Sequence, residues 1–257
     1  MSPVPGTVYL VGAGPGDPEL ITVRGLRLLR SADVIIHDRL IARELLDEPH
    51  ADAEVINARQ VFGRGADAQA RINASMIEPA RAGKSVVRLK GGDPVIFGRG
   101  GEELIACRDA GVKCVIVPGV TSAIAVPAAV GIPITHRDVS RSFAVFTAHM
   151  SDHPGTDPTD YRALAGMDTV VIMMGRSNLA DTTRKMIAAG WPADTPTACI
   201  ERGTTPEQRV TRATLETIAS AADRDDLRAP AITIVGPTVA LLDKEIVDGS
   251  VSGTRHV

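Results

Sequence analysis

Aromatic residues are scarce in this chain: two tyrosines, four phenylalanines and one tryptophan make up 3% of its 257 residues. So few rings leave little surface on which bases could stack, and a formal net charge of −3 with a pI near 6.1 lacks the positive balance of a general nucleic-acid binder. Nucleic acid is not an expected partner. Cysteine is also sparse. Cys107, Cys114 and Cys199 are odd in number and show neither CxxC nor Cys/His ligand spacing, so the sequence indicates no disulfide framework and no metal site. They read as core thiols. No apolar run is long enough to span a bilayer, and the opening MSPVPGTVYL lacks the basic start and long apolar core of a secretory signal. The expectation is a cytoplasmic protein with no membrane partner. Lysine occurs only at Lys84, Lys90, Lys113, Lys185 and Lys244, so the cations are mostly arginine, which suits bidentate capture of carboxylate or phosphate where arginines converge.

What is present is ample apolar material. At 44% hydrophobic residues the chain can bury one large core or two modest ones, and length alone does not choose between them. Val8 to Val11 reads as a buried strand running into a glycine turn, and Pro18 to Ser31 has helical spacing. Strands are expected at 32–37, 54–57, 85–89 and 114–117, with helices at 72–82 and 102–110. This alternation points to an α/β fold with parallel pairing. Pro118 and Gly119 then break the pattern. The stretch VPGVTSAIAVPAAVGIPIT suits a connection between two lobes, which places a boundary after residue 118. Strands resume at 143–147, 168–173, 197–200 and 231–235, with helices near 178–189 and 214–221. The expected organisation is an N-terminal α/β domain over 1–118, a C-terminal α/β domain over 119–243 and a frayed tail over 244–257.

The segment Lys90 to Glu103, KGGDPVIFGRGGEE, is the richest in chemistry. Gly91 and Gly92 let the backbone approach a ligand closely, and N–H groups in such a turn can hold a carboxylate or phosphate. Asp93 can take an ammonium. A ligand with an amino-acid-like head would satisfy both halves, and Arg99 and Glu102 follow closely enough to serve a second ligand. The turn VGAGPGD, with Asp38 further on, invites a dinucleotide reading. It fits poorly: Gly12, Gly14 and Gly16 are evenly spaced, and Pro15 removes an N–H that a pyrophosphate would use.

Taken in order, GAGPGDPELIT, DRL at Asp38–Leu40, VVRLKGGDPVIFGRGGEE, VPGVTSA, GIPITHRD, MMG at Met173–Gly175 and ERGTTPEQR resemble the uroporphyrinogen-III C-methyltransferases of the tetrapyrrole methylase family. The resemblance runs from about Val8 to about Val239. It implies two α/β domains with S-adenosyl-L-methionine folded into the cleft between them, in a homodimer. Carried over by motif position, the cofactor's methionine head belongs with Gly91, Gly92 and Asp93, with Pro15 and Ile96 lining the same pocket. Thr121, Ser122, Met174, Gly203, Pro230 and Ala231 would contact the remainder. The implied reaction methylates uroporphyrinogen III twice, at C2 and C7, to give precorrin-2 for sirohaem or cobalamin, releasing S-adenosyl-L-homocysteine. Asp38, Arg99, Glu102 and Arg137 are the catalytic candidates, with Asp38 and Glu102 able to act as bases and arginine serving as an electrostatic clamp. The tetrapyrrole substrate carries eight carboxylates, and in an acidic protein local arginines must hold it. Arg99 and Arg137 lead, followed by Arg39, Arg64 and Arg141.

The chain departs from the family pattern at three positions. Gln60 stands where the family carries a lysine, Gly65 where it carries a histidine, and His37 where a tyrosine precedes the DRL acid. Two alternatives follow: a corrin-pathway methylase acting on a later intermediate, or a cofactor-binding homologue with weakened catalysis.

Overall fold

The computed structural model describes residues 3–63, 66–148 and 157–241. Its contacts divide the chain between Ser122 and Ala123, four residues beyond the boundary expected from the proline and glycine signal. The tail expected over 244–257 lies outside the described residues, as does Arg64.

The first unit runs β1 (Thr7–Gly12), α1 (Val23–Leu29), β2 (Val34–His37), α2 (Arg43–Leu46), β3 (Glu54–Asn57), α3 (Ala58–Phe62), α4 (Ala66–Arg81), β4 (Val86–Lys90), α5 (Gly100–Asp109) and β5 (Lys113–Val117). The strands form one parallel sheet in the order β3-β2-β4-β1-β5. In β1 every residue is buried, and its side chains alternate between two cores. Val8 and Leu10 face a cluster with Val34, Ile36, Met76, Val86 and Cys107, whereas Tyr9 and Val11 face one with Leu28, Leu29, Ile35, Leu45, Val87 and Leu89. Helices on both faces make the central strands continuous apolar runs. The exposed Glu54 and Val55 of β3 mark it as a sheet edge.

Two helix expectations change. The single helix expected over 18–31 is broken in two, because Asp17 caps a 3-10 turn at Pro18–Leu20 and the Thr22 hydroxyl then caps α1 by accepting from the Gly25 N–H at 3.1 Å. The helix expected over 72–82 begins at Ala66, since its first turns are polar and carry little apolar period.

The second unit contains α6 (Ser122–Ala129), whose first residue precedes the division, then β6 (Phe143–Thr147), α7 (Tyr161–Leu164), β7 (Thr169–Met173), α8 (Leu179–Ala188), β8 (Pro196–Glu201), β9 (Arg209–Thr214), α9 (Ile218–Arg224) and β10 (Ala231–Val235). The stretch after Pro118, expected as a connection, thus holds a helix that buries Ala123, Val126 and Pro127. The sheet order is β6-β7-β10-β8-β9. A second α/β unit was expected here, and its sheet is mixed: β6 with β7 is parallel, and the other three pairings are antiparallel. The cause is β9, which the sequence reading missed. RVTRAT is too polar to read as a strand, but it folds back on β8 as a hairpin, and no helical crossover is needed there. Helix α8 packs through Leu179, Thr182, Thr183 and Met186, a spacing that puts all four on one face. Among the described residues, no helix is long and apolar enough to cross a membrane.

Candidate functional site

In the first unit the candidate residues gather at the carboxyl ends of the parallel strands, where open α/β sheets bind ligands. Asp38 follows β2, the segment Gly91–Asp93 follows β4, and Thr121 and Ser122 come after β5. The loops touch through backbone. Gly92 and Gly14 exchange hydrogen bonds, the Gly92 N–H donating to the Gly14 carbonyl at 2.7 Å and the Gly14 N–H to the Gly92 carbonyl at 3.3 Å, which sets Pro15 beside the GGDP turn. The Gly92 donor assigned from sequence to an anion is therefore already engaged within the fold.

Gly92 has φ of +64°, and a Cβ there would stand 3.6 Å from the Ser122 nitrogen and 3.7 Å from the Thr121 Cα. One methyl group would fill the gap between these two loops. The residues present thus fit a narrow ligand part held against bare backbone. Exposed Gly91 would meet the Leu40 carbonyl at 3.7 Å with its own Cβ, so the DRL loop borders the same space.

Asp93 has a structural task that its sequence context did not reveal. Its Oδ1 accepts the Val95 N–H at 2.9 Å and its Oδ2 accepts the Gly119 N–H at 3.0 Å, so the carboxylate clasps its own loop to the exit of β5. Beyond it, residues 94–100 curl around the Pro94 carbonyl, where Cβ atoms on Gly98 and Gly100 would stand at 2.7 and 2.3 Å. Phe97 and Arg99 take left-handed φ values of 52° and 59° in this curl, which leaves Ile96 and Phe97 exposed. Arg99 and Glu102 grip each other, with Nε–Oε2 at 2.9 Å and Nη2–Oε2 at 2.6 Å. The pair lies at the surface, about half exposed on each side.

Asp38 is held from below by a network that sequence reading missed. The Arg88 guanidinium bonds the Asp38 carboxylate through Nη2, reaches Glu103 Oε1 through Nε at 3.0 Å, and caps the Ile36 carbonyl through Nη1 at 3.3 Å. Lys90 Nζ lies 3.0 Å from Glu103 Oε2, an ion-pair contact outside hydrogen-bond geometry. Burial works against the Arg88 charge, but Asp38 and Glu103 outweigh it and hold the guanidinium pKa above its usual value. For Lys90 the balance reverses: burial, reinforced by Arg88, pushes the ammonium below its ordinary range despite Glu103. The missed signal is the pair Arg88 and Lys90, two residues apart in an otherwise apolar strand and so on one face of it, with an acid in the first turn of the next helix.

In the second unit, antiparallel register brings several candidates to one end of the sheet. Met173 pairs with Ile232 and Glu201 with Ala231, so Met174, Ala231 and the start of the β8–β9 turn share that end. Pro230, preceded by a cis peptide bond, accepts the Arg202 N–H at 2.9 Å. Met174 is 47% exposed with φ of 53°, conspicuous for a methionine at a strand end. Gly203 lies flat on α6, where an added Cβ would stand 2.3 Å from Val126 Cγ1. Arg137 is exposed on the tight turn closed by the paired hydrogen bonds of His136 and Ser140.

A family model described as Tetrapyrrole (Corrin/Porphyrin) Methylases matches residues 7–219. The chain is 44% identical over 241 residues to a uroporphyrinogen-III C-methyltransferase of Methanocaldococcus jannaschii, covering 93% of this chain and 99% of that one. It is 46% identical over 239 residues to an S-adenosyl-L-methionine-dependent uroporphyrinogen III methyltransferase of Methanosarcina barkeri, covering 93% and 94%. Among solved structures, a uroporphyrin-III C-methyl transferase of Thermus thermophilus complexed with S-adenyl homocysteine superposes with a TM-score of 0.79 at 37% identity, over 92% of this chain and all of that one.

Proposed function

The chain belongs to the tetrapyrrole (corrin/porphyrin) methylases, and from that premise we propose that it methylates uroporphyrinogen III twice, at C2 and C7, to give precorrin-2. The observation that carries this reading is the likeness to the M. jannaschii enzyme over nearly the full length of both chains. When bound, S-adenosyl-L-methionine supplies an electrophilic sulfonium methyl and departs as S-adenosyl-L-homocysteine.

The chain's own residues divide the remaining work. Gly91 and Gly92 admit the methionine head because neither carries a side chain, and Asp93 both shapes that loop and offers its remaining lone pairs to the ligand ammonium. Pro15, Ile96, Thr121 and Ser122 complete the first-unit set, and Met174, Gly203, Pro230 and Ala231 serve the cofactor from the second. Arg99 and Arg137 bind substrate carboxylates. Opening the exposed Arg99–Glu102 pair costs little, since such pairs are worth roughly 0.2–1 kcal/mol, whereas a hydrogen bond to a charged partner returns roughly 1.5–3 kcal/mol. Release of Arg99 leaves Glu102 as a second carboxylate near the macrocycle. Asp38, exposed at its tip and anchored at its base, accepts the proton that the macrocycle loses after methylation, the methylated carbon itself being quaternary.

The family's homodimer and a cytoplasmic setting complete the proposal. The test is incubation with uroporphyrinogen III and methyl-labelled cofactor. Two labelled methyls per macrocycle are expected. Label entering only a later corrin intermediate would replace this substrate with that one, and cofactor binding without transfer would leave a binding protein.

A further inference from the structure

Four charged side chains lie in series under the carboxyl rim of the first sheet, and only the outermost is open to solvent. The Asp38 side chain is 38% exposed, whereas Arg88 and Lys90 are each 3% exposed and Glu103 is 0%. Arg88 is the hub. Its three nitrogens reach Asp38, Glu103 and the main chain, so the guanidinium plane has one orientation available. Glu103 is fixed in turn by Lys90 and by the Gln69 amide at 3.4 Å. The Asp38 backbone is fixed independently, its N–H donating to the Leu89 carbonyl at 3.2 Å and its carbonyl meeting His37 Nδ1 at 2.9 Å.

A need for stability is a weak reason for this arrangement. Buried ion networks are commonly matched or bettered by apolar residues of similar volume, and the strand around Arg88 is otherwise apolar. An aspartate at a strand end would normally sample several rotamers. Here one rotamer is held, with one oxygen committed to Arg88. We infer that Arg88 is a positioning residue for methyl transfer: seated by Glu103 and Lys90, it holds the Asp38 carboxylate in the one orientation from which its exposed oxygen can take the proton that the macrocycle loses, from a position other than the methylated carbon, once the methyl group has been added. The inference rests on Asp38 as proton acceptor.

The test is a double-mutant cycle in the full chain, with kcat and both KM values measured for Arg88→Met, Arg88→Lys, Asp38→Asn and the combinations. Arg88→Met is expected to lower kcat roughly 10- to 100-fold, the scale of a misplaced base, with each KM within about threefold. Arg88→Lys restores part of the rate, because an ammonium can face Asp38 but cannot also span Glu103 and the carbonyl. In the Asp38→Asn background the Arg88 substitutions change kcat by less than about threefold, because the group they position is already lost. Full multiplication of the two effects, or a rise in KM with kcat intact, overturns the inference. If Asp38→Asn alone leaves kcat unchanged, the proton-acceptor reading fails and takes the inference with it. Should Arg88→Met fail to fold, Arg88→Lys carries the same cycle.

Discussion

Gly12 and Gly119 meet backbone to backbone: a Cβ on Gly12 would stand 2.5 Å from the Gly119 Cα, and one on Gly119 would stand 2.7 Å from the Gly12 Cα and 2.3 Å from the Gly92 carbonyl oxygen. The exits of three neighbouring strands therefore close on one point with no side chain between them. Overpacking against soft side chains costs about 1–3 kcal/mol, and backbone yields less readily. Gly119→Ala is expected to lower the melting temperature and to weaken S-adenosylhomocysteine binding by at least about tenfold in calorimetry. Unaltered affinity would remove this junction from the binding site.

Asp93 carries two main-chain hydrogen bonds besides its proposed ligand role, and two substitutions separate these tasks. Asp93→Ala orphans both N–H groups and is expected to cost about 1–3 kcal/mol of stability as well as affinity. Asp93→Asn keeps an acceptor oxygen but loses the charge, so affinity should fall more than stability. Wild-type affinity in Asp93→Asn would assign the residue to the loop alone.

Gly203 and Val126 make a suppressible pair. Gly203→Ala drives a methyl into both Val126 Cγ atoms, at 2.3 and 2.6 Å, and should lower the melting temperature. Val126→Ala, buried at 3% exposure, should itself destabilise by leaving a cavity. Combined, the two changes should cost less than their sum, because the new methyl occupies space the valine has vacated. Strict additivity in thermal melts would rule out that contact.

Acid sensitivity follows from two caps at the amino ends of strands. Hydrogen bonds from the Ser85 hydroxyl and then its main chain hold Asp33 below the usual carboxylate range, and the Arg141 N–H followed by the Ser142 hydroxyl and N–H do the same for Asp168. A depressed folded-state value means that the unfolded chain takes up protons first. The stabilisation is thus fully present above the ordinary aspartate pKa of about 3.9 and fades as pH falls through the folded values. Melting temperature should hold steady from pH 8 to 5 and drop below about pH 4, and Asp33→Asn and Asp168→Asn should each blunt that drop.

The chain announces its first unit more plainly than its second. β1 and β2 are short, mostly apolar runs and β4 holds Val86, Val87 and Leu89 around its two cations, each closed by glycine or aspartate, so their type and their exits could be read directly, and with them the places of Asp38, Gly91 and Gly92. β9 could not be read, because an edge strand of arginine and threonine carries no apolar alternation. Without it the reading had no hairpin in the second unit and so no sign of the antiparallel pairings that dominate its sheet. At the site, chemistry-bearing residue types stood out, but their occupancy did not: nothing local says that the Gly92 N–H belongs to Gly14, that Asp93 clasps Gly119, or that Arg99 folds onto Glu102. Arg88 and Glu103 were missed for a related reason, since their importance lies in the partners that a distant strand and helix supply.

The central place of β1 has a consequence for biosynthesis. The strand precedes every other strand of its sheet in the chain, yet both of its neighbours, β4 and β5, begin only at Val86 and Lys113. At roughly 5–20 residues per second the nascent chain spends several seconds with this mostly apolar ribbon unmatched on either side. Such sequence-distant pairing slows folding and lengthens exposure to aggregation, so β1 stays open to wrong partners until the last strand of the sheet has emerged.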